Sequence, residues 1–204
     1  MTLEREDHMK NKILPAIFSL LAAALLTAVL PTEADAEIYS DTLRLHILAA
    51  SDSEEDQALK IKVRDAILAE YSAALSDSEG LSDTILRVEE LLPAIEETAM
   101  RVIKECGLEY GIEATISDEW YDTRDYDGFS LPRGKYASLV IKIGKGEGKN
   151  WWCVMYPPMC LGMALDAPRD DFSGGYTDSE LSLISGGKYR VKFKLLEMIS
   201  DFID

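Results

Sequence analysis

Leu43-Arg44-Leu45-His46-Ile47-Leu48-Ala49-Ala50-Ser51-Asp52-Ser53-Glu54-Glu55-Asp56 is the stretch on which the fold turns. In an extended chain, Leu43, Leu45 and Ile47 share one face, with Arg44, His46 and Leu48 on the other. Ser51-Asp52-Ser53 ends that strand. Ser53 is a good N-cap, and Glu54, Glu55 and Asp56 occupy the first helical turn, where the helix dipole favours negative charge. A strand feeding directly into a capped helix predicts a mixed fold.

Working outward, Leu59, Val63, Ala66, Ile67, Tyr71 and Ala74 form an apolar helical stripe, with Lys60, Arg64 and Glu70 outside it. After a polar linker at 76–80, a second helical pattern runs from about Ser82 to Cys106 and stops at Gly107. Pro93 interrupts it at a cost of about 3 kcal/mol in a helix interior, so a kinked or split helix is expected. Then the period changes to two. Glu109–Ser117 and Tyr136–Ile143 read as strands, with Asp118–Pro132 between them as a loop or wide hairpin. Gly144–Asn150 reads as a hairpin turn, with Trp151–Tyr156 as the returning strand. Residues 166–187 read as a flexible loop, and Tyr189–Ile203 as a C-terminal amphipathic helix. The expected class is α+β: an N-terminal strand, two or three helices on one face of a mainly antiparallel sheet, and a C-terminal helix, in a single domain.

Lys149–Cys160, KNWWCVMYPPMC, is the densest segment. Trp151 and Trp152 must point to opposite faces if extended. Pro157-Pro158 ends any ladder. Cys153 and Cys160 flank that stop, close enough to be bridged if the chain turns back in an oxidising space; Cys106 is then left over. The segment reads as a buried strand with a rigid loop, or as a stapled aromatic recognition loop, since tryptophan is favoured at binding hot spots.

Lys10 and Lys12 precede an uncharged run from Ile13 to Leu30, followed by Ala34-Asp35-Ala36. A basic flank, an apolar core and a small-x-small site make residues 1–36 an export signal, with Glu37 first in the mature chain. The acidic residues before Met9 make Met9 an alternative start to Met1. An uncleaved anchor is the competing reading, because eighteen apolar residues approach the length of a spanning helix. The segment 1–36 carries five acids and three bases, so its removal takes the formal charge from −16 to −14 over 168 residues. Such a field repels nucleic acid and anionic lipid, and neither is an expected partner.

The catalytic inventory is thin. His46 is the sole histidine after residue 36, which excludes a multi-histidine metal site, and no G-x-S-x-G elbow occurs. Gly144-x-Gly146-x-Gly148 lacks the ending of a phosphate loop. Asp122, Asp125, Asp127 and Gly128 miss the spacing of a calcium loop. Among 37 acidic residues, paired carboxylates carry no signal. No cofactor and no small-molecule substrate is expected.

Arg44–Asp65 (RLHILAASDSEEDQALKIKVRD), together with Leu131–Tyr136 (LPRGKY) leading into KNWWCVMYPPMC, resembles the stage II sporulation protein R family. Ala50 stands where asparagine is expected, and Arg133 where a smaller residue is. The resemblance implies a non-enzymatic signalling protein of endospore formation. It would be secreted from the forespore into the intermembrane space, where it triggers a membrane-embedded aspartic protease through its outward-facing region. That protease then processes pro-sigma-E in the mother cell. Carried onto this chain, the partner-binding candidates are Arg44, His46, Asp52, Asp56, Gln57, Arg64, Trp151, Trp152, Pro157 and Pro158. The rival expectations are a secreted hydrolase of cell-wall material and a structural envelope protein, membrane-associated through an uncleaved N-terminal helix.

Overall fold

The computed structural model describes residues 15–20, 22–23, 33–76, 78–126, 129–159 and 176–185. Their elements run α1 (Glu33–Ser40), β1 (Leu43–Leu48), α2 (Glu54–Ser76), α3 (Leu81–Glu105), β2 (Ile112–Tyr121), β3 (Arg124–Tyr126), β4 (Phe129–Leu131), β5 (Gly134–Ile143), β6 (Asn150–Tyr156) and α4 (Asp178–Ser185). The fold is α+β, with a mainly antiparallel sheet in one domain. Four strands lie in the order β2-β5-β1-β6, and β3-β4 form a separate two-stranded hairpin. β1 is parallel to β5 and antiparallel to β6. The parallel pair arises because the chain leaves β1 through two helices and β2 before it returns, the long crossover that such pairs require.

Leu43, Leu45 and Ile47 face the long helices, in register with Ala137, Leu139 and Ile141. Leu59, Val63 and Ile67 of α2 and Val88, Ile95, Ala99, Val102 and Ile103 of α3 complete that core. Full burial of each large aliphatic side chain contributes about 1.5–3 kcal/mol. Tyr71 Oη lies 2.9 Å from Thr98 Oγ1 and ties α2 to α3.

Four expectations change. Pro93 lies inside one continuous α3, which rules out the split, though not the kink, of the expected kinked or split helix. It is exposed, so its missing N–H costs one bond at the solvent side, while the buried stripe on both sides holds the helix together. The helix ends where expected: Gly107 takes φ +74°, and the Leu108 and Gly107 N–H groups close onto the Ile103 and Lys104 carbonyls. Second, β5 and β6 are not a hairpin, because β1 lies between them. Third, the expected loop at 166–187 contains helix α4, whose Glu180 and Ile184 are buried, as is Tyr176 just before it. Sparse apolar residues hid a short helix that needs only one side covered. Fourth, only the long helices α2 and α3 cover one face; the other carries β3-β4 together with α1, whose Tyr39 ring meets that of Tyr136 at 5.1 Å. The C-terminal helix expected at Tyr189–Ile203 lies outside the described residues, as do residues 166–175 and 186–187 of the loop. So does most of the apolar run from Ile13 to Leu30. Among the described residues, no helix is long and apolar enough to cross a membrane.

Candidate functional site

The strand-to-helix corner after β1 and the loop before β6 are built as one unit. Ser53 caps α2, accepting from the Asp56 N–H at 3.1 Å. Ser51 Oγ donates to Asp56 Oδ2 at 2.5 Å, and Gln57 Nε2 donates to the Ser51 carbonyl at 2.8 Å. That hydroxyl holds the Asp56 carboxyl below the usual carboxylate range, and Tyr110 and Ser53 act in the same direction. Across the gap, the Lys149 N–H donates to Asp52 Oδ1 at 2.7 Å. Lys60 Nζ donates to the Lys149 carbonyl at 2.9 Å and to Gln57 Oε1 at 2.6 Å. Asp52 and Lys60 therefore grip residue 149 by both its polar backbone groups. Lys60, outside the apolar stripe, is buried, and that burial pushes its ammonium below the ordinary lysine value.

The loop can lie there because of Gly148. Its N–H bonds the Ala49 carbonyl at 2.9 Å, and a Cβ on it would stand 2.2 Å from the Ser51 carbonyl oxygen. Only a residue without a side chain permits that approach.

Trp151 and Trp152 do take opposite faces, in register with Ile47 and His46. Trp151 lies on the helix side, with the Arg64 guanidinium 4.9 Å from its ring; Arg64 also pairs with Asp65 at 2.6 Å. Trp152 lies on the hairpin side between the stacked His46 ring at 5.6 Å and the Arg124 guanidinium at 3.8 Å. His46 Nδ1 is 2.7 Å from Glu119 Oε2, which also accepts from Tyr121 Oη at 3.0 Å. Burial pushes the Tyr121 phenol far above its ordinary value, so it remains a donor. Arg44 is completely buried. Its guanidinium lies 3.8 Å from the Tyr121 ring and 5.0 Å from that of Tyr136, and donates to Tyr126 Oη at 2.6 Å.

The candidate residues thus separate. Arg44, His46, Asp56 and Pro157 are buried; Gln57, Arg64, Trp151, Trp152 and Pro158 are half-buried; Asp52 is exposed. Pro157 follows a cis peptide bond. Cys153 is disulfide-bonded and Cys106 is free; Cys160 lies outside the described residues. Sequence reasoning missed Lys60, Gly148, Glu119, Tyr121, Arg124, Tyr126 and Tyr136. Period gave no signal for Glu119 and Tyr121, which fall on the odd positions of β2 with Glu113, Thr115 and Ser117, while the apolar set Ile112, Ala114 and Ile116 is even. Among the described residues, no cluster of three or more histidine, cysteine, aspartate or glutamate side chains is arranged to hold a metal.

These contacts join the two dense segments, 44–65 and 131–160, into one framework. A family model described as Stage II sporulation protein R matches residues 39–165, and so spans both. The chain belongs to the stage II sporulation protein R family. Stage II sporulation protein R of Bacillus subtilis (strain 168) is 33% identical to it over 151 residues, which cover 71% of this chain and 67% of that protein. No solved structure matches. Stage II sporulation protein R family membership gives this framework a role in sporulation.

Proposed function

We propose that this chain is an exported signalling protein of endospore formation. It is secreted from the forespore into the intermembrane space and activates a membrane-embedded aspartic protease by contact with its outward-facing region. Pro-sigma-E is then processed in the mother cell. The observation that carries this reading is how the polar groups of the two dense segments are spent. Asp52 and Lys60 reach across to residue 149, while Asp56 and Gln57 bond back to Ser51 within the first segment, and together they hold a shape. His46 is closed in by Glu119 and Trp152. A shape held this firmly suits recognition, because a bound protein shifts its receptor only through differential affinity for the active arrangement.

Export enters as part of the same proposal. Ala34 and Ala36 lie in the first turn of α1, while the residues that anchor this helix follow them. Ile38 is fully buried, and Tyr39 Oη donates to the Arg133 carbonyl at 2.9 Å. Cleavage after Ala36 therefore leaves the anchoring residues with the domain.

The test is co-expression of the full chain with the protease and pro-sigma-E, scoring cleavage. Cleavage that requires this chain is expected, and the purified domain should release nothing from peptidoglycan or casein. Equal cleavage without the chain ends the proposal.

A further inference from the structure

β2 is an outer strand of the sheet, paired with β5 alone among the described strands. Its Ala114 N–H turns away from β5 and donates to Glu96 Oε1 of α3 at 2.8 Å. Backbone direction alternates along an antiparallel strand, so the N–H and C=O groups of Ile116, Asp118 and Trp120 point the same way, off the sheet. α3 thus closes the first half of this edge with Glu96.

Trp120 stands on the second half and is 73% exposed, the most exposed large apolar side chain among the described residues after residue 36. The two tryptophans of the dense segment are half-buried, each with a guanidinium over its ring. Residues 112–122, IEATISDEWYD, carry four carboxylates and no base. Of these, Glu119 is turned inward to His46, and Asp118 pairs across the ladder with Lys135 at 3.1 Å.

Charge on an outer strand is an ordinary guard against pairing with a second acidic edge. An exposed indole serves no such guard. We propose that the edge of β2 from Ile116 to Trp120 is a docking site for an extended, lysine- or arginine-bearing segment of a protein partner. That segment adds as a further strand: backbone bonds supply affinity, Trp120 packs on an alternate side chain, and Glu113 and Asp122, the carboxylates of this stretch not engaged by His46 or Lys135, select basic residues. The proposal rests on the reading that this chain acts by contact, and deepens it by naming the surface and the partner's chemistry.

The closing experiment has two arms, both on the full chain. In the first, the probe is a synthetic octapeptide of alternating lysine and valine, added at low salt while amide hydrogen exchange is followed. Exchange at Ile116, Asp118 and Trp120 should slow at least about tenfold, and Trp120→Ala should remove most of the protection. Unchanged exchange overturns the edge whatever the chain's function. Protection without peptide that grows with protein concentration makes the occupant a second copy, and overturns the basic-partner assignment. In the second arm, Trp120→Ala and Asp118→Pro are scored for pro-sigma-E processing, with Asp118→Ala controlling for the lost ion pair. Processing by wild type but not by Trp120→Ala or Asp118→Pro supports the edge. Full processing by both overturns its role, whereas wild type that fails to process overturns the functional reading and leaves the first arm to decide the edge.

Discussion

On the helix side of β1, Leu43, Leu45 and Ile47 meet other aliphatic side chains; on the hairpin side, Arg44 and His46 are also buried yet meet tyrosine, tryptophan and carboxylate. The first face is held by area and tolerates changes of shape. The second is held by directed contacts, in which a charge needs rings and an acceptor at fixed positions. One six-residue strand carries both. Burial alone therefore does not say how a position responds to substitution.

Matched swaps give the largest effect that separates the two faces. Leu45→Met should cost less than about 1.5 kcal/mol, because volume is kept. Arg44→Met also keeps volume, but removes the bond to Tyr126 and the stacking on Tyr121. Its cost should be about 3 kcal/mol. Urea unfolding midpoints at constant slope measure both. Equal costs would mean that the guanidinium acts as an apolar spacer and the comparison is false.

That contrast also explains what the sequence disclosed. β1, α2, α3 and β5 were legible because Leu45, Val63, Ile95 and Leu139 repeat at the period of their element. The hairpin layer was not, because Tyr121, Tyr126 and Arg124 become meaningful only once folded around Arg44 and Trp152. Likewise Gly144, Gly146 and Gly148 look like a hairpin turn, and the insertion of β1 between β5 and β6 leaves no mark in local pattern. At the site, the two dense segments drew notice, but their mutual grip through Asp52, Lys60 and Lys149 spans 89 to 97 positions of sequence. Trp120 passed as part of an acidic loop, since nothing local tells an exposed indole from a buried one.

A second prediction sharpens the comparison at the corner where both faces end. Gly148→Ala places a Cβ against backbone, which cannot rotate away as a side chain would. The loop must lift, loosening the Asp52 and Lys60 bonds to residue 149. A loss of about 2 kcal/mol is expected, within the usual range for overpacking. Hydrogen exchange should quicken at the Lys149 amide. Unaltered stability and exchange would show that the loop is not pinned there.

The smallest effect concerns acid. Asp56 is the buried carboxyl of the helix start, and the Ser51 hydroxyl favours its ionised form. Its folded form binds a proton less readily than the unfolded one, so its contribution is fully present above the ordinary carboxylate value, about 3.9. As pH falls below that value and through the lower folded one, the contribution is lost. Asp56→Asn should therefore be less stable than wild type at pH 7, with the difference narrowing as pH falls below about 4. Arg44→Met, which leaves every carboxyl in place, should keep a more nearly constant difference from wild type over the same range. Parallel curves for Asp56→Asn and wild type would remove the carboxylate from the corner's energetics and leave only its shape.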